Sequence, residues 1–190
     1  SEAAELAQFA YNVLSARLGL EHSFTVTVAH ELTGDLVTLG RLEEAEVIIW
    51  PALRYYERAY GLGSDPAIDA LSLLSVIQER LQDHQGAADS YATLYQIHLE
   101  LTGPDSPPVL SSLNGYAVAL TGLGELDEAL EIFAHLSDRG EALYGLDHGD
   151  THLWLTNYAA VAEMLGRIDE AERANRQVYD SILRTDGPGT

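Results

Sequence analysis

Glycine returns every 42 residues along this chain, at Gly19, Gly61, Gly103, Gly145 and Gly187. Ala45, Ala87, Ala129 and Ala171 keep the same step, and so do Leu39, Leu81, Leu123 and Leu165. A further glycine recurs at Gly40, Gly124 and Gly166, with Gln82 as the exception in its column. Several columns in register at one period mark tandem copies of a single supersecondary unit. Such a unit cannot bury its apolar face alone, so copies must stack on their neighbours. Few other folds remain open to a chain built this way.

Each copy reads as two helices. In the fourth, Leu155, Tyr158, Ala159, Ala162 and Leu165 recur at helical spacing over 151–165. Gly166 and Arg167 break that helix, and a second opens at Ile168 with Asp169 and Glu170 in its first turn, where acids favour the helix dipole. It runs to about Leu183, and Gly187, Pro188 and Gly189 are expected to stop it. The third copy repeats the plan over 109–123 and 126–144, and residues 2–18 read as a lone second helix. Pro66, Pro107 and Pro108 fall at helix starts, where a missing N–H costs little. No segment of useful length has strand periodicity, so the chain is read as all-α. Pro51 lies inside a second helix, removes the hydrogen bond to the Val47 carbonyl, and is expected to bend or break that helix. The second copy, with Gln82, Asp83 and His84 where others carry Gly-x-apolar, is expected to have a less regular turn.

The pattern within each copy resembles the tetratricopeptide repeat in its 42-residue form, found in kinesin light chains and many bacterial proteins. The resemblance rests on Asn157-Tyr158-Ala159 followed by Leu165-Gly166-Arg167-Ile168-Asp169-Glu170-Ala171, on Leu123-Gly124-Glu125-Leu126-Asp127-Glu128-Ala129, and on Leu39-Gly40-Arg41-Leu42-Glu43-Glu44-Ala45. The loops beginning Gly19 and Gly145, each with a histidine three residues on, resemble that group's Gly-x-x-His turn. It implies a right-handed α-solenoid of antiparallel helix pairs over the whole of 1–190. Four complete repeats, 22–63, 64–105, 106–147 and 148–189, follow residues 1–21. No polar capping helix follows Leu183, so the chain reads as a fragment of a larger protein.

In this family the first helix of each pair lines a concave groove and holds extended peptides. Carried over residue by residue, the resemblance places His30, Ser72, Asn114 and Thr156 at the first of two positions that are often asparagine, with Asn157 at the second. Asp69 and Ser111 lie one turn earlier, Val76, Val118 and Ala160 one turn later, and Arg80 further along. These eleven residues are the candidate site for an extended or helical peptide, small and weakly charged, with hydrogen bonds from the polar row and apolar contact over the valines. The basic and asparagine pairs that clamp a C-terminal carboxylate are not evident, since Arg80 stands alone.

Charge and composition narrow the function classes. The net charge of −20, with every basic residue an arginine, disfavours nucleic acid, because phosphate binding draws on clustered cations. No run is long enough to span a bilayer and no basic leader opens the chain, so a cytoplasmic protein without a membrane partner is expected. The absence of cysteine removes disulfides and thiolate chemistry. The two central repeats carry −6 each and can steer a basic partner, while many acids also suit the first turns of second helices without any partner. His148, Asp150 and His152 have metal-like spacing, yet the repeat register puts His148 in a turn column with His22, which reads as helix capping. No metal or other cofactor is expected. Trp154 stands where other repeats carry Val28, Ala70 and Ser112; it is either an exposed anchor or a packing residue. No nucleophile–base spacing or phosphate loop is present. The chain reads as a non-enzymatic interaction module for a protein or peptide. The alternative is a sensor, regulatory or self-associating segment of a larger multidomain bacterial signalling protein, with association through uncapped helical ends.

Overall fold

The protein is described by a computed structural model over residues 2–186, with side chains over 4–185. Every element among them is helical: α1 (Glu2–Leu18), α2 (Ser23–Thr38), α3 (Leu42–Tyr60), α4 (Asp65–Arg80), α5 (His84–Thr102), α6 (Pro107–Leu123), α7 (Leu126–Tyr144), α8 (Gly149–Met164) and α9 (Ile168–Asp186). The predicted span of α7 is reproduced, and α9 runs three residues past the expected Leu183. The stop expected at Gly187, Pro188 and Gly189 lies outside the described residues.

Two compact units result, residues 1–101 and 102–190. In the first, α1 packs on α2, α2 on α3 and α3 on α4, and α2 also touches α4. In the second, α6 packs on α7, α7 on α8 and α8 on α9. Turns this short make consecutive helices antiparallel. The first core is built from Val26, Leu32 and Leu36 of α2, Ile49 of α3, Leu74 and Ile77 of α4 and Leu94 of α5. The second centres on Phe133 and Leu136 of α7, Leu110 of α6, and Trp154 and Val161 of α8. The alanine column is buried in all four repeats, next to the tight turn of each pair, where a small helix-favouring side chain fits.

The turn inside each pair is a Schellman motif. In the first repeat Gly40 N donates to Val37 O at 3.2 Å and Arg41 N to Leu36 O at 2.9 Å. The same two bonds recur as Gly124 to Thr121 and Glu125 to Leu120, and as Gly166 to Glu163 and Arg167 to Ala162. The second repeat keeps both, Gln82 to Glu79 at 3.0 Å and Asp83 to Gln78 at 2.9 Å. Its turn is therefore as regular as the others, contrary to the expectation from its sequence. Gln82 reaches this geometry by adopting φ 59°, and it is the only non-glycine with positive φ among the described residues. Asp83 adds a cap that the other repeats lack, accepting from Gly86 N at 3.1 Å. Gly86 makes room for it, because a Cβ there would lie 2.2 Å from Asp83 Oδ2 and 2.6 Å from Gln78 Nε2. Replacing Gln82 with glycine should raise stability by about 0.5–1 kcal/mol, the left-handed strain relieved less the entropy glycine adds to the unfolded chain. A denaturation midpoint that falls would show that the Gln82 side chain contributes more than its strain takes away.

The 42-residue glycine column has a separate cause. Gly61 and Gly145 end second helices at φ 88°, ψ 154° and φ 87°, ψ 163°, a region open essentially to glycine alone. The chain then turns back within three residues, with Ser64 N donating to Gly61 O and His148 N to Gly145 O. Acids in the turns are tied to the second helix of the following pair: Glu21 to Arg58, Asp105 to Arg139 and Asp147 to Arg184.

Pro51 does not break its helix. α3 continues from Leu42 to Tyr60, as long as α5 and α7, with Pro51 buried. The residue whose carbonyl it frees, Val47, is 72% exposed, so water can satisfy that group.

Candidate functional site

The first helices of each pair carry the candidate residues, and the two units present them differently. In the second unit, α6 and α8 bring together the two asparagines selected from sequence. Asn157 Nδ2 donates to Asn114 Oδ1 at 3.2 Å, which leaves Asn114 Nδ2 and Asn157 Oδ1 without a hydrogen-bond partner among the described residues. An amide pair so arranged can still offer one donor and one acceptor to a peptide backbone. Beside it lies a recess of about 200 Å³ that includes Ser111, Asn114, Tyr144, Leu153 and Trp154 in its lining. Val118 is half-buried, and Ser111 and Ala160 are exposed. Thr156 is exposed too, yet its hydroxyl donates to His152 O of its own helix at 2.8 Å, which leaves only its acceptor capacity.

In the first unit the candidates lie on α2 and α4. Ser72 likewise donates to its own helix, at Ile68 O, 2.8 Å. His30 is half-buried, with its ring 6.0 Å from that of Tyr56, edge to face. Asp69 and Val76 are exposed. Arg80 is engaged: its Nη1 donates to Val37 O at 2.9 Å, a carbonyl at the C-terminal end of α2. A cation there satisfies the exposed end of the helix and suits its dipole. Sequence reasoning missed this role because the partner is 43 residues away.

The remaining chemistry-bearing residues have structural work. His148 caps α8, its Nδ1 accepting from Asp150 N at 3.2 Å, and His22 caps α2 in the same way, accepting from Phe24 N at 3.3 Å. Among the described residues no group of three or more histidine or acidic side chains is arranged to hold a metal ion. His152 Nε2 lies 2.8 Å from Ser181 Oγ, and Ser181 donates to Asp147 Oδ1 at 2.5 Å. These are the residue types of a hydrolase triad in the wrong order, since the carboxylate holds the serine and not the histidine. Ser181 is also fully buried, so this set ties the turn at Asp147 to α9. Tyr158 donates to Glu170 Oε2 at 2.7 Å, and that bond, more than its burial, raises the phenol above its ordinary pKa. Trp154 is 4% exposed and belongs to the core, which removes it as a surface anchor.

No helix among the described residues is long and apolar enough to cross a membrane. Tetratricopeptide-repeat family profiles match residues 25–66 and 108–182, together more than half of the chain. No curated protein matches the sequence. Among solved structures, a Podosopora anserina kinesin light chain with nearly identical TPR-like repeats superposes with a TM-score of 0.85 at 18% identity, over 98% of this chain and 89% of that one. BtubC (BKLC) from P. vanneervenii superposes with a TM-score of 0.76 at 18% identity, over 88% of this chain and 66% of that one. Likeness at such identities speaks to fold alone. The family profiles, the 42-residue register and the consecutive helix pairs agree, and the chain belongs to the tetratricopeptide-repeat family.

Proposed function

We propose that this chain is a protein-interaction module whose first-helix faces hold an extended peptide segment of a partner. What supports this most is the amide pair Asn114–Asn157 beside the recess lined by Ser111 and Leu153. Amides on adjacent first helices can hydrogen-bond an extended backbone, and the small apolar surroundings at Val118 and Ala160 leave space for it. The test is a pull-down from the source organism's lysate, comparing the chain with its Asn114→Arg/Asn157→Arg variant by mass spectrometry. Circular dichroism of the variant should be unchanged, because both positions are only half-buried. A partner held by the parent chain and lost by the variant is the expected result. A partner retained by both sinks the groove reading.

Self-association is favoured by one observation of its own. On α9, Tyr179 and Ile182 are exposed at 61% and 42%, although their repeat counterparts Leu53 and Tyr56 of α3, and Ser137 and Gly140 of α7, are buried. Light-scattering mass measured over a range of concentrations should rise if this face pairs, and the substitutions Tyr179→Ser and Ile182→Ser should abolish that rise.

A further inference from the structure

The first-helix faces of the two units carry opposite characters. α6 has no charged residue, and α8 has Asp150 and Glu163 towards its ends. By contrast α2 and α4 carry Glu31, Asp35, Asp65, Asp69 and Glu79 against Arg80, whose guanidinium is engaged on the Val37 carbonyl. The same unit holds a group of rings. Tyr56 stacks on Tyr60 with centroids 6.5 Å apart, and Tyr55 meets both edge-on at 5.8 and 6.3 Å. His30 meets Tyr56 from α2. Tyr56 is buried and its hydroxyl donates to Val26 O at 3.4 Å, whereas Tyr60 is 62% exposed. Burial first, then Tyr60, Tyr55 and the Glu31 carboxylate, hold the Tyr56 phenol above its usual pKa, and Glu31 is the exposed chain neighbour of His30, whose ring meets Tyr56.

Repeat register supplies the second line of argument. Tyr60 lies two repeats before Tyr144, which lines the recess in the second unit with Ser111, Asn114 and Leu153. The counterparts of those three residues are Thr27, His30 and Asp69. In register, the apolar Leu153 is thus replaced by a carboxylate, the amide Asn114 by an imidazole, and the ring of Tyr144 is matched by the exposed ring of Tyr60.

We propose that Tyr60, His30, Glu31 and Asp69 form a subsite on the first unit's first-helix face for one basic side chain, an arginine or lysine of the bound peptide. This deepens the peptide-binding reading above and rests on it. A cation is attracted to the face of an aromatic ring, and the flanking carboxylates supply charge-assisted hydrogen bonds. The arginines of α3 do not fill the role, since Arg54 and Arg58 pair with Glu21. An acidic face of this kind also repels acidic peptides, so it selects as well as binds.

The test uses a random library of 12-residue peptides selected against the full chain, followed by fluorescence polarisation of the best synthetic binder. The selected peptides should share one position occupied by arginine or lysine. Replacing that residue with glutamine should weaken binding by about 10-fold or more, as should Tyr60→Ala or Asp69→Asn in the protein, the loss expected when a ring contact and a charged hydrogen bond disappear. Tyr60→Phe should retain binding, because the ring face is kept. The charge-matched Asp127→Asn and Asp169→Asn, at the exposed starts of α7 and α9, should change it by no more than about twofold, as neither belongs to the subsite and exposed charges are screened. Tight peptides that share no basic position, or whose binding falls equally with the control substitutions, would overturn the subsite. If such peptides still depend on Asn114 and Asn157, the groove reading survives that failure. A library that gives no binder at all overturns both.

Discussion

Truncating Trp154 to alanine should lower stability by about 3–5 kcal/mol, the range for removing a large buried aromatic side chain. The indole is 4% exposed and packs within the cluster formed with Leu110, Phe133, Leu136 and Leu155. No small residue can fill that space without moving α8 towards α7. A chain of this length loses roughly 2–4 °C of melting temperature per kcal/mol, so the midpoint should fall by about 10 °C. Helicity followed by circular dichroism measures this directly. A fall of only one or two degrees would mean that the indole is not packed as described.

The second large effect concerns Gly140, and its size depends on Trp154. A Cβ at position 140 would lie 2.8 Å from Thr151 Oγ1 and 2.8 Å from the Cε3 and Cζ3 atoms of Trp154. An indole ring held in a core cannot swing aside as a flexible chain end can, so overpacking should cost about 2–3 kcal/mol. Against this, alanine favours a helix interior over glycine by about 1 kcal/mol. The net expectation for Gly140→Ala is destabilisation by about 1–2 kcal/mol. In the Trp154→Ala background the indole contact is gone, while Thr151 Oγ1, buried and donating to Gly145 O at 3.0 Å, still meets the added methyl, so the same substitution should be less destabilising by about 1–2 kcal/mol. A double-mutant cycle should therefore give a coupling of about 1–2 kcal/mol. Additive effects in that cycle would contradict the contact.

This pair also shows what kind of information a one-dimensional reading misses. Trp154 was visible as a large residue in a column of small ones, Val28, Ala70 and Ser112. Its compensation is the glycine fourteen residues earlier, in a column that holds Tyr56 and His98 in other repeats. The first repeat places its bulk on the second helix and the small residue, Ala70, on the next first helix; at Gly140 and Trp154 the order is exchanged. Either arrangement conserves volume, and only packing across the two helices tells that Trp154 turns inward. Gln82 is the converse case. Its departure from glycine was legible, but its consequence was not, because the Schellman bonds on either side hold the turn whatever the strain at that residue. Pro51 is similar: a broken hydrogen bond is a local fact, and the continuity of α3 is held by the burial of the rest of its face.

The candidate site divides along the same line. That first helices carry His30, Ser72, Asn114 and Thr156 at one register position was readable from period alone. That Ser72 and Thr156 turn their hydroxyls back onto their own helices, that Asn157 joins Asn114, and that Arg80 reaches the end of α2 depends on distances between side chains.

Local conformational chemistry was legible along the chain: the 42-residue period, helix pairs closed by glycine in left-handed and glycine-only conformations, acids and histidines at helix starts, and the family to which those features belong. Packing between helices set the burial of Trp154 against Gly140, the enclosure of Ser181 between His152 and Asp147, the tyrosine cluster at Tyr60, and the pairing of the two asparagines. The physical reason is range: a turn needs only its own few residues, whereas these contacts join side chains on different turns of the helices, or on different helices, whose approach is set by the packing of whole faces.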